Sequence, residues 1–416
     1  MKGYRESGLA LPTDSGKRIA ALDIMRGFAV MGIFVVNIEI MNCIFMNQDA
    51  FSAQWTSAPD ALAVRILQLF FYSKFFPIFS FLFGLGISMQ AIKRSRRGGS
   101  AWFFLRRMAA LFTIGAMHVI CLWGGDVLHL YALLGLLTLL ILRLPATVIL
   151  AASFIFLLFP YYEDLGGYLL SLSGFDPSLF LQEYTSVQAR EIIRTGTYIE
   201  GMKFRLAEYV ANVPLLYFFL GPVALSMFMM GLYFGKKRLY NCLPAIAASI
   251  RVPMIILLVI TNAYRILFLF FFRDWGVFDE AGLAPYLYRI MYLCDVAMGL
   301  GYLWLLVQGM RYTAVKRVLD PLKYAGRMAL TNYILQSVIG LFLFSSIGFG
   351  WYETLSPWQT LVIALGVFVI QVLLSRLWLR WFRFGPLEYL WRYASYTRRP
   401  PMRRKDTAQE GQTVSG

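Results

Sequence analysis

The chain has little charge for its length. Only 15% of its 416 residues are charged and 59% are hydrophobic, with a mean hydropathy of +0.61, whereas an average soluble domain has about 25% charged residues. A soluble fold could not bury so much apolar surface. Apolar runs of about 20 residues, the length needed to cross a bilayer, recur along the sequence. The composition excludes an ordinary soluble domain and predicts a membrane protein.

Cysteine and histidine are also scarce. The four cysteines lie far apart and show no C-x-x-C spacing, which argues against a disulfide framework and against a zinc site. With only two histidines, no closed set of metal ligands is visible, so no metal is expected. Residues 1–22 are polar and basic and precede a full-length apolar run, which predicts a retained first span and not a cleaved signal peptide.

The apolar runs predict an all-α fold, a polytopic transmembrane helical bundle. About ten spans are expected, and both termini are expected in the cytoplasm. The expected order is a cytoplasmic segment at 1–22, a first five-span half at 23–162, an extracytoplasmic loop with a polar helix at 163–206, a second five-span half at 207–397 and a disordered cytoplasmic tail at 398–416.

Lysine and arginine lie in short clusters between the apolar runs. With ten spans, most of them fall on one side, for example Lys93, Arg238 and Arg317, whereas most loop carboxylates fall on the other, for example Asp164 and Glu353. Positive loops are cytoplasmic, so the alternation sets the orientation. It also explains the net charge of +16 without nucleic acid as a partner. The expected partner is the lipid bilayer, and the expected location is the bacterial inner (plasma) membrane.

A few ionisable side chains and amides fall inside the apolar runs. A charge at this depth costs about 2.5–3.5 kcal/mol, so each such residue needs a partner, a cavity or a function. The set is Asn37, Glu39, Lys74, His118, His129, Arg265, Asp295, Asn332 and Gln336.

Some of these positions leave alternatives open. Lys74 either extends to the outer interface or faces a polar cavity, just before a kink expected at Pro77. Asn332 and Gln336 follow Arg327 on one helix and are spaced i, i+4. They either join helices through hydrogen bonds or line a water-filled path.

Both histidines flank one turn, H-V-I-C-L-W-G-G-D-V-L-H from His118 to His129. The two glycines break one helix, and Asp126 is well placed to cap the next. A histidine beside a carboxylate is suited to proton transfer, although a lone histidine is more often a satisfied core residue. His118 is the stronger candidate because it lies inside its helix, where a capping role cannot explain it.

Five sequence blocks together resemble a known family. They are R-I-A-A-L-D-I-M-R-G-F-A-V-M-G-I-F-V-V-N from Arg18, K-F-F-P-I-F-S-F-L-F-G-L-G from Lys74, H-x-x-x-x-W-x-G-D-x-L-x-x-Y-A from His118, G-R-M-A-L-T-N-Y-I-L-Q-S from Gly326 and G-P-L-E-Y-L-W-R from Gly385. In this order, over about 18–397, they resemble the YeiB-like bacterial membrane proteins, which are grouped by the domain of unknown function 418.

The first two blocks are also similar to the opening of the heparan-α-glucosaminide N-acetyltransferase family. Its members pass an acetyl group from cytoplasmic acetyl-CoA to a sugar amine across the membrane. The resemblance implies that the catalytic asparagine of that family corresponds to Asn37. Its catalytic histidine lies in the first outer loop, but residues 45–60 of this chain contain no histidine. The resemblance therefore implies the fold more strongly than the mechanism.

The leading hypothesis is a transmembrane acyltransferase. It would move an acyl group from cytoplasmic acyl-CoA to an extracytoplasmic hydroxyl or amine of an envelope glycan or lipid. His118 would be the base, Asp126 its orienting partner and Asn37 the donor to the oxyanion. The residues expected to bind the phosphorylated carrier are Arg94, Arg97, Arg107, Arg327, Asn332 and Gln336, although the positive-inside rule alone also explains the arginines.

The main alternative is a transporter or lipid flippase. Its pathway would follow the intramembrane charges Glu39, Lys74, Arg265 and Asp295, with His129 as a further polar group. A non-catalytic membrane scaffold is a third hypothesis, and association into a homo-oligomer is left open.

The expected orientation predicts which positions a membrane-impermeant thiol reagent reaches in intact cells. In a variant without native cysteines, a cysteine introduced near Gly166 should react, because 163–206 is expected outside. A cysteine introduced at Ser95 should be protected until the cells are permeabilised. The reverse labelling pattern would overturn the orientation.

Overall fold

The computed structural model describes residues 19–44, 47–95, 102–272, 275–278, 282–396 and 401–403. Within these ranges the chain is mainly helical, and the only strand-like feature is an isolated bridge between Phe382 and Arg403. The helices up to the middle of the chain are α1 (Ala20–Asn42), α2 (Gln48–Ser52), α3 (Ala58–Ile66), α4 (Phe75–Ser95), α5 (Trp102–Cys121), α6 (Leu128–Ile141), α7 (Ala146–Leu158), α8 (Tyr162–Ser173), α9 (Leu179–Gln182) and α10 (Ser186–Thr195). The remaining helices are α11 (Tyr198–Ala211), α12 (Gly221–Lys236), α13 (Leu243–Ser249), α14 (Arg251–Phe270), α15 (Ala284–Gly309), α16 (Thr313–Leu319), α17 (Leu322–Arg327), α18 (Ala329–Phe344), α19 (Pro357–Trp381) and α20 (Pro386–Ser395).

The described residues contain seven helical stretches that are long and apolar enough to cross a bilayer. Helices α7 and α8 are bent by 76° at their junction, and if they are counted as one span the total is eight spans. Helices α6 and α18 are apolar but shorter. Each apolar run of the sequence thus forms a helix, and the chain is an all-α polytopic membrane protein. The polar helix expected within 163–206 is present as α10.

Glycines set the spacing between the central helices. A Cβ atom on Gly84 of α4 would lie 2.3 Å from the carbonyl oxygen of Phe228 on α12. A Cβ atom on Gly326 of α17 would lie 1.8 Å from the carbonyl oxygen of Asp23 on α1. Membrane helices associate through such close van der Waals packing, because the hydrophobic effect does not drive apolar helices together inside a lipid bilayer. These positions therefore require glycine.

The second span is broken before Pro77 and is not kinked at it. After α3 the chain forms a π-helical turn at Leu67–Phe71, Ser73 has a φ of 62°, and α4 begins at Phe75. Pro77 therefore lies in the first turn of α4, where its missing N–H group removes no intrahelical hydrogen bond. The kink predicted at Pro77 is wrong, because the chain accommodates the proline by starting a new helix.

A buried ionic cluster holds this break together. Asp295 Oδ1 on α15 lies 2.8 Å from both Lys74 Nζ and Arg265 Nε. The two cations also donate to carbonyl groups at the break, Lys74 Nζ to Tyr72 O at 2.7 Å and Arg265 Nη2 to Gln68 O at 3.2 Å. Lys74, Arg265 and Asp295 are all buried, and we call these three residues the clamp.

The contact between α1 and α17 makes Gly326→Ala a test of the packing. The new methyl group would overlap Asp23 O, so the two backbones must separate, and such overpacking costs about 1–3 kcal/mol. We expect a lower thermal unfolding temperature of the protein in detergent. The control Gly366→Ala in α19 meets nothing within 4 Å and should be neutral or slightly stabilising. Equal effects of both variants would contradict this account of the packing.

The clamp predicts a strong effect of Asp295→Asn on stability. Two buried cations would lose their counter-charge, and breaking a buried ion pair from one side costs about 3–5 kcal/mol. Asp320→Asn is the control, because Asp320 pairs with Lys323 at a partly exposed site where a pair contributes about 0–1 kcal/mol. Thermal unfolding in detergent measures both, and similar small effects would show that the clamp does not hold the break.

Candidate functional site

The structure brings His118 and Asp126 together across one short turn. Helix α5 ends at Cys121 and α6 begins at Leu128, so the turn that contains Gly124 and Gly125 folds back on α5. His118 Nδ1 lies 2.8 Å from Asp126 Oδ1, and both side chains are fully buried. The pair therefore has the geometry of an imidazole oriented by a carboxylate.

Asp126 is the centre of a larger polar network. Its Oδ1 accepts a hydrogen bond from the Tyr333 hydroxyl of α18 at 3.1 Å, and its Oδ2 accepts one from Leu128 N at 2.9 Å. The Oδ2 atom also lies 3.2 Å from His129 Nδ1. Burial opposes ionisation of Asp126, but the hydrogen bonds from His118 and His129 outweigh it and hold the pKa of this carboxyl below its ordinary value. Asp126 also caps α6, as its position in the sequence predicted.

The two histidines differ in their free nitrogen atoms. His118 Nε2 is buried and has no hydrogen-bond partner among the described residues. Both ring nitrogens of His129 have partners, because its Nδ1 faces Asp126 and its Nε2 lies 2.9 Å from the Tyr209 hydroxyl. We assign the proton of neutral His118 to Nδ1 because that atom faces the carboxylate, and the lone pair is then on Nε2. His118 is thus the histidine that can accept a proton.

Gly115 allows this network to form. A Cβ atom at this position would lie 2.5 Å from His129 N and 3.0 Å from Asp126 Oδ2. Only glycine lets α5 pack directly on the turn, three residues before His118. The sequence analysis missed Gly115, Tyr209 and Tyr333. Of these, Tyr333 at least belongs to a conspicuous block, G-R-M-A-L-T-N-Y.

A small, partly open cleft of about 60 Å³ begins one helical turn beyond His118 along the chain. Its wall includes Leu122 and Trp123, whose backbone N–H groups both donate to His118 O. Ser337 is also in the wall, one turn after Tyr333 on α18. The cleft thus lies one turn beyond the His118–Asp126–Tyr333 network on both α5 and α18, and the imidazole itself is buried below its wall.

Asn37 lies beside the same cleft. It precedes Ile40 and Met41 on α1 by about one turn, and both of these residues line the cleft. Its side chain is half-buried. The predicted base and the predicted oxyanion donor are thus each one turn from one cleft, on α5 and α1.

The expected carrier-binding arginines are described only in part. Arg97 lies outside the described residues, and only the backbone of Arg94 is described. Arg107 is buried, and its Cζ lies 3.6 Å from the centre of the Trp391 ring on α20. Arg327 Nη2 donates to Arg383 O at 3.3 Å. The C-terminal segment thus covers the two described arginines.

The two amides of α18 join helices. Asn332 Nδ2 donates to Ser375 Oγ at 3.0 Å, and Gln336 Nε2 donates to Gln371 Oε1 at 2.9 Å, both across to α19. Both amides are buried. Of the two alternatives for these residues, this geometry favours hydrogen bonding between helices over a water-filled path.

The intramembrane charges are each engaged by neighbouring groups. Glu39 accepts a hydrogen bond from the Tyr72 hydroxyl, whereas Lys74, Arg265 and Asp295 form the clamp. Lys74 takes neither of its two expected environments, since it is fully buried against Asp295 and backbone carbonyls. Each of these charged groups thus has bonding partners inside the protein.

Sequence comparison finds relatives over almost the full length of the chain. A family described as "Protein of unknown function (DUF418)" matches residues 234–398. The uncharacterized protein YxaH of Bacillus subtilis (strain 168) is 30% identical over 95% of this chain and 98% of its own. The uncharacterized 39.9 kDa protein in the amylase 3′ region of Bacillus acidopullulyticus is 30% identical over 95% of this chain and 99% of its own.

A third relative, the uncharacterized protein YeiB of Escherichia coli (strain K12), is 27% identical over 90% of this chain and 96% of its own. No solved structure matches the chain. The five blocks, the helical membrane fold and these relatives agree. The chain therefore belongs to the YeiB-like family of membrane proteins that contain the domain of unknown function DUF418.

Proposed function

We propose that the protein is a membrane-embedded acyltransferase in which His118 is the general base. One observation carries the proposal: a fully buried imidazole, one turn from a cleft, has its Nδ1 2.8 Å from Asp126 and, among the described residues, no partner for its Nε2. Asp126 fixes the orientation of the ring and stabilises the imidazolium that forms on protonation. These are the requirements for removing a proton from an acceptor bound in the cleft.

The reaction joins an acyl thioester to a hydroxyl or amine. His118 Nε2 takes the proton of the acceptor while the acceptor oxygen or nitrogen attacks the thioester carbonyl carbon. Asn37, one turn before the cleft residues Ile40 and Met41 on α1, donates to the resulting oxyanion. The intermediate then breaks its C–S bond, and the thiolate leaves with the proton from the imidazolium. The products are the acylated acceptor and free CoA.

The acyl donor is expected from the opposite end of α5. Arg107 and His118 lie on the same helix, about 16 Å apart along its axis at about 1.5 Å per residue. An extended pantetheine arm spans a distance of this order. Arginine is the preferred partner of phosphate groups. The residues proposed for the nucleotide of acyl-CoA are therefore the arginines expected from the sequence, Arg94, Arg97, Arg107 and Arg327, and Arg107 becomes available only when Trp391 on α20 moves off its guanidinium.

The second candidate function, a transporter or lipid flippase, has weaker support. Its pathway would need charges that exchange partners as a substrate passes. Lys74 and Arg265 instead share Asp295 and also donate to backbone carbonyls, Arg265 donates to Asn262 Oδ1 as well, and Glu39 is bonded to Tyr72. This arrangement supports a static role for these residues. A pure scaffold, the third hypothesis, leaves the unpartnered Nε2 of His118 unexplained.

The proposal predicts the effect of His118→Gln on acyl transfer. Purified protein in lipid nanodiscs is incubated with labelled acyl-CoA and envelope extract, and labelled product is measured. General-base catalysis contributes about a hundredfold to ten-thousandfold in rate, so His118→Gln should lose at least about a hundredfold, and Asp126→Asn should lose much of the activity. The matched comparison is His129→Gln, which should be milder because both of its nitrogens are already bonded.

The same assay can refute both the role of His118 and the acyltransferase proposal. Circular dichroism and unfolding temperature must show that each variant is folded. Near-normal transfer by folded His118→Gln would refute its role as base. Absence of labelled product with every envelope fraction, for the unaltered protein, would refute the acyltransferase proposal itself.

A further inference from the structure

The cleft beside His118 has a cationic end on α11. The Nε and Nη2 atoms of Arg205 are both buried and have no hydrogen-bond partner among the described residues. These two N–H groups lie on one edge of the planar guanidinium group and point in the same direction within its plane. Such a fork matches two oxygens of a phosphate or carboxylate, and charged donors left unsatisfied when buried are costly. The Arg205 guanidinium also lies 5.3 Å from the centre of the Tyr198 ring, and Glu208 in the same wall interacts with it electrostatically. Its Nε–H and Nη2–H groups can therefore donate to a further oxyanion.

The rest of the cleft is mainly apolar. Its walls include Met41, Trp123, Phe204 and Phe344. Ser337 adds a buried hydroxyl that has no hydrogen-bond partner among the described residues. A small soluble phosphate would gain nothing from these walls, whereas a hydrocarbon chain would be removed from water by them. The occupant therefore combines an anionic group with an apolar part.

The depth of the cleft agrees with a lipid as that occupant. Helices α1, α5 and α18 end beside it, at Asn42, Cys121 and Phe344. The ends of membrane helices lie at the polar interface, which is where the phosphate groups of lipids are found. By the distribution of basic residues, this interface is the extracytoplasmic one.

We propose that the cleft binds a phosphate-bearing membrane lipid and that a hydroxyl of the same headgroup is the acyl acceptor. Arg205 holds the phosphate through its fork, the apolar walls hold the adjoining part of the lipid, and the headgroup hydroxyl reaches His118 Nε2. Glu208, one turn beyond Arg205 and also in the wall, accepts a further hydroxyl. The inference rests on the proposed function, since it names the acceptor of that reaction.

Lipid binding tests the proposal without any catalytic step. The probe is radiolabelled phosphatidylglycerol, which has a phosphate and free hydroxyls, and it is titrated into the full chain in neutral detergent. Arg205→Gln should weaken binding about tenfold or more, the scale expected for lost hydrogen bonds to a charged group. Arg205→Lys keeps the charge but not the fork and should fall between. The control is Lys203→Gln, an exposed cation on the same helix, which should bind normally.

Binding and catalysis separate the two proposals. His118→Gln should weaken lipid binding much less than Arg205→Gln does, because it removes one hydrogen bond to a neutral hydroxyl, while it loses acyl transfer. Transfer at an unaltered rate in folded Arg205→Gln, to an acceptor without phosphate, would overturn the lipid site and leave the acyltransferase standing. Lipid binding by the unaltered protein, with no transfer to any acceptor, would leave the binding site standing and remove the enzyme.

Three further results would overturn the lipid site. They are unchanged affinity in Arg205→Gln, equal binding of a neutral diacylglycerol glycolipid, and competition by glycerol phosphate at the same concentration as the lipid, which would indicate a site for a soluble phosphate. If Arg205→Gln does not fold, Arg205→Lys decides, because an affinity equal to that of the unaltered protein would show that the fork is not used.

Discussion

The structure depends on one constraint, that polar groups at bilayer depth must find their partners inside the protein. The break between α3 and α4 is the clearest case. Its backbone carbonyls have no helical donors, and lipid cannot supply any. Lys74 and Arg265 bond to them, and Asp295 balances part of the charge that these cations bring. An irregular backbone is thus tolerated in the membrane because three helices close around it.

The same constraint explains the network around Asp126. One buried carboxylate accepts bonds from α5, from the start of α6 and from Tyr333 on α18, and His129 continues the network to Tyr209 on α11. A carboxylate in this setting must be fully bonded, since an unpaired buried charge is very costly. The orientation of His118 is therefore fixed by the interactions that keep Asp126 stable. The same hydrogen bonds therefore stabilise the fold and build the candidate site.

The sequence predicted what depends on near neighbours. The apolar runs predicted the helices, and the meeting of His118 with Asp126 could be expected because a short turn joins them. Tyr333 and Tyr209 lie far away in the sequence and have no local signal that marks them as partners. The environment of Lys74 was missed for the same reason, since Asp295 is on a distant helix. Pro77 misled because proline disfavours a helix interior but is accepted in a first turn.

The clamp and the cleft show opposite outcomes of the same physics. In the clamp, the cations and the carboxylate are bonded to each other and to the backbone, which suits a structural element. Near the cleft, three buried groups have no hydrogen-bond partner in the part of the chain that the structure describes. They are His118 Nε2, Ser337 Oγ and the Arg205 fork, on three different helices. A protein that loses free energy at three such groups needs a compensating interaction, and a bound ligand can supply it. The unsatisfied groups are complementary to a proton donor, a hydroxyl and an oxyanion, in that order. The cleft, and not the more heavily charged clamp, is therefore the candidate ligand site.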